Sequence, residues 1–257
     1  MSNLAQAIWV EMLKARRSRM PLFTALGFAL LPLALGFFMV ILKDPELARR
    51  AGLITVKAQI TMGVADWPTY LGFLAQATAM GGMMIFSLIA IWVFGREYSD
   101  RTVTDLLALP TSRPAIVVAK FVVVAVWSIA LTVMICLVSI AVGAAVGLPP
   151  VSTQLVLQRM VTVAVAACLA IALVTPISFF ASAGHGYLPP IGAVLLAVFL
   201  AQLANATGRG EYFPWAIPAL YTQGEALGAV SYVILVLTGA AGLAATLAWW
   251  ELADQTH

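Results

Sequence analysis

The nine residues "SAGHGYLPP" at 182–190 decide how this chain divides. They interrupt an apolar run from 160 to 208 that contains no Asp, Glu, Lys or Arg. That run is too long for one membrane crossing, because roughly 20 apolar residues span the hydrocarbon of a bilayer. Two glycines and two prolines within the nine punctuate helices, proline by lacking an N–H and crowding the preceding turn. The run therefore reads as two helices joined by a short turn.

Four further charge-free runs occupy 20–42, 67–95, 121–158 and 226–250. Their ends are sharp because an Asp, Lys or Arg at the centre of a span costs about 2.5 to 3.5 kcal/mol on insertion scales. Six spans follow, near 21–42, 70–94, 118–146, 157–181, 187–205 and 228–250. Composition agrees: 62% hydrophobic and 10% charged residues, with a mean hydropathy of +0.99, lie far outside the range of soluble domains. The expected fold class is all-α integral membrane, residues 1–257 forming a single transmembrane domain.

The opening "MSNLAQAIWVEMLKARRSR" (1–19) is not a short basic segment leading into an apolar core and a cleavage site, so no cleavable signal is expected. Cys136 and Cys168 fall mid-span, where thiols are ordinary apolar filling. With both termini in the cytoplasm, eight Lys and Arg lie inside (Lys14, Arg16, Arg17, Arg19, Arg96, Arg101, Arg113 and Lys120) and six outside. Four of the eight crowd the start of the first span, and the outer loop Lys43 to Asp66 mixes four bases with three acids. The tally leans inward without deciding, and with these two details both termini are expected inside.

In the amino-terminal segment Leu4, Ala5, Ile8, Trp9, Met12 and Leu13 recur at helical spacing, with Gln6, Glu11, Lys14 and Arg17 on the other side. This predicts an amphipathic helix in the interface. Trp9, Lys14, Arg16 and Arg17 would either anchor it to anionic headgroups or face a partner.

Seven of the 25 charged residues fall in "FGREYSDRTVTDLLALPTSRPAIVVAK" (94–120). Ser99 or Thr102 can cap a short helix, Thr102 with Asp105 matches the S/T-x-x-D/E pattern, and Pro110 follows its end. Val103, Leu106 and Leu107 share one face of it. A helix of eight to ten residues is marginal alone, so it needs a surface to lie on. A second start follows, with Thr111 or Ser112 as cap and Pro114 in the first turn. The residues themselves allow either a connecting loop whose bases snorkel to phosphates or a docking elbow.

Glu97, Thr102, Leu106, Leu107, Pro110, Ser112, Arg113 and Lys120 reproduce the order E, T, L-L, P, S-R, K. In this the chain resembles the bacterial permeases of ABC exporters with separate ATPase subunits, in which the pattern also joins the second and third of six spans. Arg101 stands where the family commonly has Gly.

The resemblance implies a coupling helix over Val103 to Leu109 that seats in a groove of the ATPase, with Glu97, Arg101 and Arg113 making polar contacts at the membrane surface. It extends the set of coupling residues to Thr102, Asp105, Leu106, Leu107, Pro110 and Lys120. It also implies two permeases with two cytoplasmic ATPase subunits, set in the cell's inner membrane and surrounded by its lipid, with no nucleic-acid partner.

No G-x-x-x-x-G-K-[ST] loop and no Gly-Lys pair occur, so ATP and Mg are expected on the partner and no cofactor on this chain. Relays for ion-driven transport usually need intramembrane carboxylates or histidines, and here only His185 offers itself, in the inner turn. No H-E-x-x-H, G-x-S-x-G or metal-holding cluster marks a membrane enzyme. The expected function is ATP-driven export of a hydrophobic or amphipathic drug, peptide or lipid-like molecule. An ion-gradient transporter or channel is the alternative.

Between the last two spans, "NATGRGEYFPWAIPALYTQGEA" (205–226) is too short to cross. Its aromatics and prolines fit either an aromatic belt or a re-entrant or interfacial hairpin. The resemblance assigns Phe213, Pro214, Trp215 and Pro218 to an outer gate. Small residues repeat at Ala193, Ala197 and Ala201, and at Ala25 and Ala29, where a second copy could pack. Gly143-x-x-x-Gly147 fits packing within the chain.

Overall fold

The computed structural model describes residues 3–44, 64–100, 102–103 and 111–252, and among these the regular structure is entirely helical. Helix α1 is Asn3–Arg17, α2 Met20–Lys43, α3 Trp67–Ser99, α4 Arg113–Val146, α5 Thr153–Ala183, α6 Leu188–Ala206 and α8 Ala229–Leu252. A short α7, Ile217–Gln223, precedes α8. Six of them, α2 to α6 and α8, are long and apolar enough to cross a membrane. The chain is a multi-pass membrane protein, all-α with six candidate spans among the described residues.

Local chemistry sets the helix ends. Asp66 caps α3 by accepting a hydrogen bond from the Thr69 amide at 2.8 Å, and Ser152 caps α5 through the Leu155 amide, each satisfying an orphan donor of the first turn. Helix α4 stops at Gly147, whose φ of +68° is left-handed, a conformation open to glycine without a Cβ penalty. Lys43 at the end of α2 then donates to the Val146 and Gly147 carbonyls at 2.6 and 2.7 Å, a cation on a helix C-terminus. At the 182–190 break, α5 ends at Ala183 and α6 begins at Leu188. Its prolines start the next helix, where a missing N–H costs nothing.

Helix α3 is the centre of the bundle: 61% of its central window is buried, against 22% for α6. Its core side chains include Tyr70, Leu74, Phe86 and Ile89, all fully buried, and Phe86 meets Phe28 of α2 edge to face at 5.5 Å. A π-helical turn, Thr78–Gly82, interrupts it. Helix α5 is also interrupted, at Leu173 and Val174 before Pro176, which the sequence reading ran through as one span. Proline removes a helical donor there. The Thr175 hydroxyl lies 3.1 Å from the Ala172 carbonyl and 2.6 Å from the Gly239 carbonyl of α8, so α5 and α8 meet closely at the break.

The small residues differ in burial. Ala197 and Ala201 of α6 are buried, while Ala193 of the same stripe and Ala25 and Ala29 of α2 are half-buried. Gly143 faces the Trp67 ring so closely that an added Cβ would come within 2.5 Å of it. The segment after α6 folds back as two 3₁₀ turns, Gly210–Tyr212 and Pro214–Ala216, and then α7. Ala216 and Ile217 are fully buried and Pro218 is buried. This segment packs against α3, α5 and α6 at the end of the bundle opposite α1.

Candidate functional site

Four charged side chains converge beneath α1, where α3 ends and α4 begins. Glu11 and Lys14 lie one turn apart on α1, so they project from the same face. Glu97 lies in the last turn of α3 and Lys120 two turns into α4. Lys120 Nζ donates to Glu97 Oε1 at 2.8 Å, to the Val93 carbonyl at 2.9 Å and to Glu11 Oε2 at 3.2 Å, which uses all three ammonium donors. Lys14 Nζ donates to Glu11 Oε1 at 2.6 Å and to Glu97 Oε1 at 3.1 Å. Two cations and two anions thus form a neutral quartet, in which Glu97 Oε2 alone is buried without a hydrogen-bond partner among the described residues.

Three members of the quartet are shielded from water, while the Lys14 side chain is 29% exposed at its edge. Lys120 is fully buried, and Glu11 and Glu97 are 6% and 4% exposed. Phe94 and Trp250 each place a ring centroid 5.9 Å from Lys120 Nζ. Charges taken out of water are costly unless each finds partners of good geometry. Burial by itself lowers the Lys14 pKa, but the neighbouring Glu11 and Glu97 outweigh it and hold the ammonium above its ordinary 10.5. Salt screens such a buried set weakly, so the quartet binds α1 to α3 and α4 as one unit.

The expected site residues separate into three groups. Glu97 and Lys120, anticipated as coupling contacts, with Glu97 at the membrane surface, are interior. The reason is mutual: each found an opposite charge inside, so neither is free to touch a partner directly. Lys14 is paired with the same acids but stays half-exposed at the edge of the set. Helix α1 turns its Glu11 and Ala15 face inward while Trp9 is 63% exposed and Leu4 and Val10 point outward. The polar side assigned from periodicity is therefore split, with Glu11 buried, Lys14 half-buried and Arg17 exposed, and Arg16 is exposed beside it.

At the elbow, the Thr102 amide donates to the Glu97 carbonyl at 2.9 Å, Thr102 is exposed and Val103 is buried. Arg113 Nη1 lies 3.3 Å from the carbonyls of Trp250 and Glu251, tying the start of α4 to the end of α8. Arg101, Asp105, Leu106, Leu107 and Pro110 lie outside the described residues.

Beside the elbow, Tyr98 packs on His185 at 5.1 Å and on Trp250 at 6.1 Å, so the turn after α5 joins the same end of the bundle. His185 is exposed with φ +51°. At the opposite end Phe213, Pro214 and Trp215 are half-buried and Phe213 stacks on Trp215 at 5.5 Å. Glu11 is the participant that the sequence reading missed. A signal existed: Glu11 and Lys14 form an i, i+3 pair, and Lys120 stands alone at the head of a long apolar run. Among the described residues no three His, Cys, Asp or Glu side chains gather as a metal site would require.

Comparison with known proteins adds two positive findings. A family model described as ABC-2 family transporter protein matches residues 7–203, covering α1 and the first five spans. A curated relative, the bacitracin transport permease protein BCRB of Bacillus licheniformis, is 24% identical over 177 residues, 67% of this chain and 85% of that protein. No solved structure matches the chain.

Proposed function

The chain belongs to the ABC-2 family of transporter proteins and is a permease subunit; from that premise we propose that it exports an amphipathic molecule using ATP hydrolysed by a separate subunit. The single observation that carries this reading is the buried quartet. A loop that only snorkels to headgroups has no use for Glu11, Glu97 and Lys120 paired and withdrawn from water. A docking platform does, because force applied between α3 and α4 must enter rigid helices. The quartet makes α1, the end of α3 and the start of α4 move together, and Arg113 extends that unit to the end of α8.

On this reading the ATPase sits below α1 and the elbow, at the cytoplasmic face, and both termini of the chain lie there. Residues Val103 to Leu109 seat in its groove, with Arg101 and Arg113 at the rim. Glu97 and Lys120 act through position. Two copies of this chain assemble with two ATPase subunits in the inner membrane. Helices α2, α6 and α8 leave most of their apolar stretches uncovered within one chain, which leaves surface for the second copy. Phe213, Pro214, Trp215 and Pro218 close the outer exit of the path. The substrate class proposed is an amphipathic peptide, supported by the bacitracin permease relative and by spans without free charge.

The test is association. The tagged chain, extracted gently from its native membrane, is expected to bring with it a soluble protein that carries a phosphate-binding loop. Leu106→Asp together with Leu107→Asp is expected to abolish that association, through charge placed on the docking face, while the protein remains inserted. Association that survives the double substitution would remove the coupling assignment. A chain that repeatedly emerges intact and alone would favour ion-gradient transport instead.

A further inference from the structure

Between α1 and the end of α3 lies a pocket of about 310 Å³ lined by Val10, Leu13, Lys14, Arg17, Ser18 and Arg96. Three of its six lining residues are cationic. Neighbouring acids neutralise them unevenly. Lys14 is engaged with Glu11 and Glu97 but keeps one of its three donors. Arg96 pairs through Nε with Asp100 at 3.2 Å and stacks on Trp92 at 5.2 Å, which leaves its two terminal nitrogens able to donate. Arg17 is exposed and makes no ion pair among the described residues. The pocket therefore presents surplus donors and net positive charge to an anion.

Part of the wall is apolar. Val10 and Leu13 form it on the same face of α1 as Lys14 and Arg17, near the exposed Leu4 and Trp9. A free inorganic anion has no use for such a wall. A phospholipid does, because its phosphodiester sits among cations while its glycerol and first methylenes lie on aliphatic surface. The location fits as well, since the pocket lies where a span gives way to an amphipathic helix and Trp92 stands beside Arg96, as aromatic and basic anchors do at headgroup depth.

We infer that this pocket is a binding site for the phosphate of one anionic phospholipid, held by Arg17, Arg96 and the free donor of Lys14. The site is separate from the elbow, and its test does not depend on transport.

The full chain is reconstituted in nanodiscs containing phosphatidylcholine with a minority of phosphatidylglycerol, released into mild detergent, and weighed intact by native mass spectrometry. One phosphatidylglycerol per chain is expected to remain bound. Arg17→Gln with Arg96→Gln is expected to reduce that retention at least tenfold. Arg16→Gln with Arg19→Gln removes the same charge from neighbouring positions that do not line the pocket, and is expected to retain the lipid. Val10→Trp fills the pocket without changing charge and is expected to lose the lipid, which keeps the test decisive if the arginine pair folds poorly.

Equal retention of phosphatidylcholine, equal loss from the Arg16 and Arg19 control, or displacement of the lipid by millimolar inorganic phosphate would each overturn the assignment.

Discussion

Lys120 stands at the head of a span and is nevertheless fully buried. In an apolar sequence a lysine at the head of a span reads as a snorkelling or contact residue, because its long stem lets the ammonium reach water. In the fold it reaches Glu97, Glu11 and the Val93 carbonyl instead. Removing one member of a buried ion set leaves an uncompensated charge, a loss of about 3 to 5 kcal/mol. Lys120→Met is therefore expected to lower the thermal midpoint of the detergent-purified protein strongly. Lys120→Met combined with Glu97→Gln should recover part of the loss, because the stranded carboxylate is gone. Identical midpoints for the single and double variants would show that the two side chains are not coupled.

At the level of elements, α5 and α8 are held backbone to backbone. A Cβ at Gly242 would fall on the Pro176 nitrogen, and backbone cannot rotate aside as a side chain can. Gly242→Ala is expected to push the helices apart at the break and to destabilise the protein by about 1 to 3 kcal/mol, the usual range for overpacking. Gly192→Ala in α6 is the matched control. Nothing lies within 4 Å of its added Cβ, and alanine favours a helix over glycine by about 1 kcal/mol. Thermal unfolding of both should give opposite signs, and a neutral Gly242→Ala would mean that the two helices are not locked there. The interruption of α5 was poorly legible for a related reason: Val174, Thr175 and Pro176 sit in an uninterrupted apolar run, and one proline either bends a helix or breaks it according to what packs beside it.

For the whole molecule, six spans alternate direction, so α1 and the segment Gly210–Gln223 lie at opposite ends of the bundle. With Cys136 and Cys168 replaced by alanine, Asn3→Cys is expected to react with a membrane-impermeant maleimide only from the cytoplasmic side. Tyr212→Cys, 59% exposed, should react only from outside. Reaction of both from one side would contradict six crossings. Reaction with the sides exchanged would place the elbow outside and end the ATPase assignment. The outer segment illustrates how far composition reaches at this scale: two prolines and four aromatics in residues 205–226 signal an interfacial or re-entrant piece, but its burial against α3, α5 and α6 depends on the space those helices leave.

The sequence by itself determined the membrane environment, the six helices and the end of the bundle at which charge is concentrated. These follow from runs of consecutive residues, because span length, proline and glycine punctuation and caps act along the chain. Tertiary structure alone decided which charges meet. Glu11 and Lys120 are 109 positions apart, and Lys14 and Glu97 are 83 apart, so their pairing depends on how each helix is rotated about its axis. That rotation is set by packing: α1 lays Ala15 and Glu11 on the bundle and leaves Trp9 outside. The strong tendency of buried opposite charges to pair in a low-dielectric interior then closes the quartet.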